Sequence, residues 1–268
     1  GAAHPAALGP APLHGGVLRE VSPRAPFWVA AALSGLTFLY GWFVLPESLA
    51  PENRMPFAWK RANPLGALAL LRSHRELTGL SIVNFLLYFA HHVFSAVFVL
   101  YAGYRYGWGA FEVGLVLALV GVLDMLMQGV IVGPVVKRFG DRRTMVFGLF
   151  GGAVGIACMG WAPTGLLFTL AMLPNALWGL AMPTLQSLMT QRVSESEQGQ
   201  LQGANMSVAS IAGVVSPLFF GAVYAMSVGE APVLPHAGTA LFMAALVLLA
   251  AALVGWAVAR QTRAAEST

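Results

Sequence analysis

The chain has 268 residues, of which 57% are hydrophobic and only 10% are charged, and its formal net charge is +4. Soluble domains carry about 25% charged residues, so this composition excludes an ordinary soluble enzyme or binding module. The basic balance does not require nucleic acid, because cationic residues collect in the cytoplasmic loops of membrane proteins. We therefore expect the lipid bilayer to surround the chain and expect no nucleic-acid partner.

Long apolar runs recur along the chain, and residues 144–191 form a stretch of 48 without a charged side chain. A helix of about 20 apolar residues crosses the hydrocarbon core with its backbone hydrogen bonds satisfied internally. Pro163 and Gly165 divide the longest run into two. The predicted spans are 26–45, 77–101, 111–136, 144–162, 165–191, 199–228 and 236–259. The predicted fold class is an all-α, polytopic membrane protein.

The segments outside these spans differ in length, and they predict one separate span followed by a bundle of six closely linked spans. Residues 1–25 hold four prolines, which break any full span. The stretch 46–76 is the long polar connection, and 77–259 follows as a bundle of six closely linked spans. If 46–76 is cytoplasmic, 12 of the 15 Lys and Arg residues lie on its side of the membrane. The positive-inside rule therefore predicts a central cytoplasmic loop at 46–76 and a cytoplasmic tail at 260–268.

A motif follows the span 111–136 and reads Gly-Pro-Val-Val-Lys-Arg-Phe-Gly-Asp-Arg-Arg. It resembles the loop signature between the second and third helices of each half in the major facilitator superfamily, with Lys137 in place of the usual aspartate. Glycines allow a tight turn, and basic residues meet helix C-termini. The simpler interpretation of the basic residues is that they set topology. The predicted gate loop comprises Gly133, Lys137, Arg138, Gly140, Asp141, Arg142 and Arg143.

Three further stretches resemble the tetracycline-resistance branch of drug:proton antiporters. They begin at Leu45-Pro46-Glu47-Ser48, at Leu100-Tyr101 and at Met182-Pro183, and the last continues through 197–203 and Ser216-Pro217. The resemblance implies that the seven spans are helices 6 to 12 of a twelve-helix transporter. They would form the C-terminal six-helix half and the last helix of the N-terminal half. Residues 1–25 would then hold part of helix 5 and a periplasmic link.

Asp124 is the one acidic residue in the middle of a predicted span. A carboxylate at the bilayer centre costs several kcal/mol unless it is protonated, paired or in contact with water. Asp124 is therefore a candidate for proton coupling or for a substrate-cation site. The alternative is a packing role with a hydrogen bond to Gln128. By the resemblance, tetracycline pumps carry a histidine at this position and an aspartate where this chain has Gly152.

His91 and His92 are two further candidates for proton coupling, because imidazole titrates near neutral pH. Adjacent residues lie about 100° apart on a helix, so we expect one of the two to face a cavity. No other ligand stands at a suitable spacing, so we expect no metal site. We expect the lone Cys158 to be a buried thiol within its span.

A substrate cavity and a set of helix contacts are predicted from uncharged residues. The candidate cavity residues are Asn84, Tyr88, Asn175, Trp178 and Gln186. The amides among them can equally tie helices together, and the aromatic rings can equally face lipid or core. Small residues and proline favour close helix approach and bending. The residues expected to do so are Gly199, Gly203, Gly213, Pro217 and Gly221.

We interpret the chain as the C-terminal portion of a secondary active transporter, a proton-coupled exporter of a tetracycline-like or other hydrophobic drug. Nothing in it predicts an enzyme, and the expected energy source is the proton gradient, with no cofactor. The alternatives are a metabolite permease of the same superfamily and a non-transporting half-transporter fragment. The expected partners are the drug, protons and an N-terminal transporter half, in the same native chain or separate. The expected location is the bacterial inner membrane.

Overall fold

The computed structural model describes residues 24–44, 70–71, 75–229, 232–234 and 236–266. This part of the chain is built of helices, without strands, and contains seven apolar helices. They are α1 (Ala25–Phe43), α2 (Arg75–Tyr106), α3 (Ala110–Phe139), α4 (Asp141–Trp161), α5 (Gly165–Thr190), α6 (Gln198–Ser227) and α7 (Thr239–Glu266).

Six of these helices, α2 to α7, are long and apolar enough to cross a membrane. The prediction of an all-α, multi-pass membrane protein is confirmed. The seventh predicted span corresponds to α1, whose described apolar stretch, Phe27–Phe43, is shorter than the other six. The expectations for 1–23, for nearly all of the 46–76 loop and for 267–268 lie outside the described residues. The rest of the predicted tail is helical, because α7 continues past 259 to Glu266.

Two helices extend beyond their predicted spans for identifiable reasons. Helix α2 continues five residues past 101, and its last residue, Tyr106, donates a hydrogen bond to the Ala162 carbonyl at 2.8 Å. Helix α3 continues through to Phe139, where Gly140 adopts a positive φ of 77°. Glycine is suited to this turn because it has no Cβ, so α4 begins directly after it.

The helices pack in an order that leaves α3 at one edge. Helix α7 packs against both α2 and α4, while α6 packs on α2 and α5 packs on α4. Helix α3 contacts α5 and α4, and its first α-helical segment buries only Val113, Val116 and Ala118. Polar side chains on α3 therefore meet few protein neighbours among the described residues.

Aromatic side chains hold together the end of the bundle where α2 and α4 finish and α5 begins. Phe168 is fully buried, and the rings of Tyr101, Tyr106 and Trp108 lie 6.0, 5.6 and 5.8 Å from it. Such ring pairs stabilise a contact beyond the apolar area that they bury. We call this the aromatic end of the bundle.

Glycines of α4 allow α5 to approach at backbone distance. A methyl group built at Gly155 would lie 2.4 Å from the backbone nitrogen of Asn175, and one at Gly148 would lie 2.9 Å from the Leu177 carbonyl oxygen. No other residue type fits at these distances without displacing α5. Cys158 is on the same helix but is exposed, which corrects the expectation of a buried thiol.

We predict that Gly155→Ala destabilises the folded protein, because the new methyl group meets backbone atoms that cannot rotate away. Overpacking of this kind costs about 1–3 kcal/mol. Thermal unfolding of the native membrane protein in detergent should show a melting temperature several degrees lower.

The matched control is Gly203→Ala, since nothing lies within 4 Å of a methyl group at Gly203. Alanine is the better helix former, so this variant should melt at the same or a higher temperature. Equal melting temperatures for both variants would contradict the proposed close contact.

Candidate functional site

Helix α3 changes its winding immediately after Asp124. An α-helical segment, Ala110–Leu126, is followed by a π-helical turn, Met127–Ile131, and then by a second α-helical segment, Val132–Phe139. Asp124 is exposed and stands three residues before the turn. Single π-helical turns inside α-helices occur frequently at functional sites.

Helix α5 is irregular at the level where it faces this turn. It contains a 3₁₀ segment, Leu177–Leu180, which contacts the π-helical turn of α3. A methyl group at Gly179 would lie 3.1 Å from Cβ of Met127 and 3.6 Å from Oδ1 of Asp124. The absence of a side chain at Gly179 therefore lets the two irregular segments meet beside the carboxyl group.

Asp124 forms no hydrogen bond or ion pair with any residue that the structure describes. The alternative hydrogen bond to Gln128, one turn further on, is not formed. A mid-span carboxyl group without a protein partner avoids the free-energy cost of an ionised group in the membrane by being protonated or by contacting water. The carboxyl group is therefore open to water or to another molecule at this face of the bundle.

The two histidines occupy different environments. His91 is exposed, and its ring stands edge-on to that of Trp178 at 5.4 Å between centroids. Because Trp178 precedes Gly179, His91 and Asp124 are linked by a short series of contacts. His92 is half-buried, with Nε2 lying 3.2 Å from a methyl group built at Gly213. Within the described residues, no group of three potential metal ligands comes together.

Three of the five predicted cavity residues line one open recess. It lies between α2, α5 and α6 and encloses about 20 Å³, which is room for about one water molecule. We call it the amide recess and define it by Asn84, Tyr88, Gln186, Gln202 and Asn205, with Met182, Leu185, Met189 and Met206 as its apolar lining.

Two amide pairs connect helices across this recess. The Asn84 amide nitrogen donates to Oδ1 of Asn205 at 3.5 Å, and the Gln186 amide nitrogen donates to Oε1 of Gln202 at 2.6 Å. The alternative interpretation of these amides, that they tie helices together, therefore describes part of their role. Both pairs end on α6, so they join that helix to α2 and α5.

The other two predicted cavity residues lie elsewhere. Asn175 belongs to the contact between α5 and the glycines of α4, and its Oδ1 is buried without a hydrogen-bond partner in the described part of the chain. Trp178 is 8% exposed and packs against His91 and Phe94. Neither lines the amide recess, since Asn175 lies against Gly155 of α4 and Trp178 packs on α2.

Asp141 of the gate loop binds across helices. The Asp141 carboxylate accepts hydrogen bonds from the Ser187 hydroxyl at 2.9 Å and from the Gln191 amide at 3.1 Å, which joins the start of α4 to the end of α5. Nearby, Glu76 and Arg192 form an ion pair at 2.6 Å. We call this the basic end of the bundle.

The remaining residues of the loop are less engaged. The Arg138 guanidinium lies 5.6 Å from the centroid of the Phe139 ring, while Gly133, Lys137 and Arg143 are exposed. Arg142 lies with Glu76 and Arg192 around a shallow recess at the basic end. Asp141 is therefore the loop residue whose contacts are fixed most clearly.

The family model described as the Major Facilitator Superfamily matches this chain over residues 5–217 and 80–268. The chain belongs to the Major Facilitator Superfamily. The resemblance to the tetracycline-resistance branch is confirmed by curated relatives. The chain is 34% identical over 216 residues to the class C tetracycline resistance protein of Escherichia coli, covering 81% of this chain and 54% of the relative.

A second relative is the class G tetracycline resistance protein of Vibrio anguillarum, with 32% identity over 229 residues, 85% of this chain and 58% of the relative. The chain thus spans about half the length of the curated relatives it matches. Among solved structures, the human organic anion transporter MFSD10 (TETRAN) superimposes with a TM-score of 0.75 at 21% identity. That match covers 90% of this chain and 59% of the other, and it shows the fold.

Gly152, where the resemblance to the tetracycline-resistance branch led us to expect an aspartate, is a packing contact. A methyl group at Gly152 would lie 2.8 Å from Cδ2 of Leu248 and 2.9 Å from Cβ of Trp178. A carboxylate side chain does not fit there without moving α5 or α7. The mid-span carboxyl group of this chain therefore stands on α3, at Asp124.

The predicted glycine contacts of α6 need correction. Nothing lies within 4 Å of a methyl group built at Gly199, Gly203 or Gly221, so the expected close approach is absent at these positions within the described residues. Gly213 does make a close contact, with His92. Pro217 lies inside α6, and the preceding Ser216 hydroxyl donates to the Phe89 carbonyl at 2.6 Å, which fixes α6 on α2 there.

Sequence reasoning missed Gln202 and Asn205 of the amide recess, and it missed Gly179. The spacing of three between Gln202 and Asn205 places them on one helix face, which was a usable signal. No comparable signal identified Gly179, because its role depends on the irregular winding of both α3 and α5.

We predict that Asp141→Ala lowers the stability of the folded protein, because it removes a carboxylate that accepts two hydrogen bonds between helices. Hydrogen bonds to charged groups contribute about 1.5–3 kcal/mol when buried, and the partly exposed position reduces this to about 1–2 kcal/mol in total. Detergent-solubilised protein should unfold several degrees earlier in a thermal scan.

Arg143→Ala is the control on the same loop, since Arg143 is exposed and its truncation should change stability by less than about 0.5 kcal/mol. Should both variants unfold at the temperature of the parent protein, the Asp141 contacts do not hold the loop.

Proposed function

We propose that this chain forms part of a secondary active transporter that exports a hydrophobic drug in exchange for protons. The observation that carries the proposal is Asp124, which is mid-span, exposed and without a protein partner among the described residues. Asp124 lies beside the π-helical turn of α3 and beside Gly179 of α5. This position supports a role in which a change in the charge of the carboxyl group affects both helices.

The physical basis is the cost of an ionised carboxylate in a dry membrane interior. Protonation removes that cost, whereas the ionised form needs water or a cation. A protonated Asp124 thus favours a closed environment, and an ionised one favours an opening to an aqueous side. His91, whose ring contacts Trp178 next to Gly179, is a second candidate proton carrier.

Transport in this superfamily proceeds by rocking of two halves around a midplane site. We propose that α2 to α7 form one such half and work with an N-terminal half, in the same native chain or in a separate one. The exposure of Asp124 and His91 supports this arrangement, because a second half would cover that face. The proposed location is the bacterial inner membrane.

A drug is favoured over a metabolite as the substrate because the similar curated proteins are tetracycline resistance proteins. A metabolite permease would share the fold and the coupling step. Vesicles loaded with one compound at a time distinguish the two, because only the substrate should be exchanged for protons.

The first prediction from this proposal is that Asp124→Asn abolishes proton-driven export by the native protein that contains these residues. The amide cannot take up or release a proton, so drug accumulation in inverted membrane vesicles should fall at least tenfold. Glu112→Gln is the control. It makes the same chemical change on α3 at the start of the helix, where Oε2 of Glu112 caps the Gly109 N–H at 2.8 Å.

Full proton-linked export by Asp124→Asn would refute the coupling role. Equal loss in both variants would instead indicate that any carboxyl change on α3 disturbs the protein.

The proposed topology gives a second prediction. In a Cys158→Ser background, Lys137→Cys should react with a membrane-impermeant maleimide only from the cytoplasmic side, and Val233→Cys only from the opposite side. Both positions are exposed, and they lie at opposite ends of the bundle. Labelling of whole cells and of inverted vesicles measures this directly. The reverse pattern would overturn the cytoplasmic placement of the tail.

A further inference from the structure

We infer that the basic end of the bundle binds an anionic phospholipid, with the headgroup at the turn between α3 and α4 and an acyl chain along the exposed face of α4. The inference goes beyond the proposed function, because it concerns the membrane around the bundle rather than the transported compound. We call this surface the lipid site and define it by Lys137, Arg138, Arg143, Phe147 and Phe150.

The turn carries positive charge that the protein does not neutralise. Lys137, Arg138 and Arg143 lie within seven residues on either side of Gly140, and all three are exposed. None of their side chains forms a hydrogen bond or an ion pair with a residue that the structure describes. The carboxylate in the same turn, Asp141, is instead engaged by two hydrogen bonds from α5. The lipid site therefore presents three positive charges to its surroundings.

Helix stability and topology explain these cations only in part. Lys137 and Arg138 stand in the last turn of α3, where the helix dipole favours a cation. Arg143 stands in the first turn of α4, where the dipole opposes one. A role in topology explains on which side of the membrane the three residues lie, but it leaves their charge without a partner. An anion in the adjacent leaflet supplies that partner.

The cations are continuous with an apolar surface on α4. Arg143, Phe147 and Phe150 follow the i, i+4, i+7 spacing of a single helix face. The two rings are 53% and 52% exposed, so no described residue covers this face. Phe147 lies about 6 Å and Phe150 about 10 Å further along the helix than Arg143. A phosphate bound at Arg143 thus has apolar surface directly beneath it, which suits an acyl chain and gives a free phosphate nothing to contact.

The side-chain chemistry selects the headgroup. The guanidinium groups of Arg138 and Arg143 each offer a planar set of donors that matches the oxygens of a phosphate, while Lys137 adds a point charge. A headgroup with a net negative charge, such as phosphatidylglycerol, keeps the whole of this attraction. Phosphatidylcholine brings its own cation towards the arginines, which cancels most of it.

The test is lipid binding to the native membrane protein that contains these residues, purified in a neutral detergent. Dioleoyl phosphatidylglycerol and dioleoyl phosphatidylcholine are titrated separately, and native mass spectrometry counts the bound lipid molecules. We expect the parent protein to bind phosphatidylglycerol about tenfold more tightly. Arg138→Gln combined with Arg143→Gln should weaken phosphatidylglycerol binding about tenfold, because each cation near an anionic lipid contributes a severalfold factor, and should leave phosphatidylcholine binding unchanged.

Arg105→Gln is the matched control. It makes the same chemical change at an exposed arginine in the last turn of α2, at the opposite end of the bundle, and should bind both lipids as the parent protein does. Melting temperatures in detergent without added lipid show whether the double variant is folded. We expect them to equal that of the parent, and we expect phosphatidylglycerol to raise the melting temperature of the parent alone.

Equal affinity of the parent protein for the two lipids would overturn the inference, as would parent-level phosphatidylglycerol binding by the double variant. Glycerol 3-phosphate carries a phosphate without acyl chains. If it displaces phosphatidylglycerol at equal concentration, the site recognises a free anion and the assignment to a lipid is wrong. These measurements involve no transport, so their failure is distinguishable from a failure of proton coupling at Asp124.

Discussion

The contact between the glycines of α4 and the irregular middle of α5 is the constraint on which the rest of the site depends. Gly148 and Gly155 bring α4 to backbone distance from α5. The 3₁₀ segment of α5 lies at this contact. In it, Trp178 packs against α2 and Gly179 lies beside α3. Inside a membrane, association between helices relies on such close packing, because lipid removes the hydrophobic advantage of burying apolar side chains. The position of Asp124 beside α5 therefore follows from small residues on a third helix.

The two ends of the bundle are held by different interactions. At the aromatic end, packed rings and tyrosine hydroxyls join α2, α4 and α5, and these contacts have little tolerance for movement. At the basic end, the links are polar: Asp141 with Ser187 and Gln191, Glu76 with Arg192, and the amide pairs one or two turns inside. Polar links can exchange protein partners for water at small net cost. The bundle is thus suited to changing shape at the basic end while it stays rigid at the aromatic end.

Much of the fold was predictable, because membrane-length apolar runs leave the backbone few alternatives to helix. Six of the seven predicted spans correspond to membrane-length helices, and their ends were predicted to within about five residues except at the end of α7, which continues to Glu266. The site was predictable only in part. Asp124 and the amides Asn84 and Gln186 were identifiable as polar groups in apolar surroundings. The sequence did not indicate that Asn175 and Trp178 lie away from the recess. That separation depends on which helix each residue of α5 meets, Asn175 against α4 and Trp178 against α2, and no local sequence pattern indicates it.

The π-helical turn Met127–Ile131 also bears on how this helix is compared between proteins. A π-helical turn takes in one residue more than an α-helical turn, so it acts as a single-residue insertion within α3. Every residue after it is offset by about 100° around the helix axis relative to an uninterrupted α-helix. An alignment that is ungapped through α3 therefore pairs residues from different faces when one protein has the turn and the other lacks it. Positions before Met127 and after Ile131 should be aligned separately, with the gap placed inside the helix rather than in the loop at Gly140.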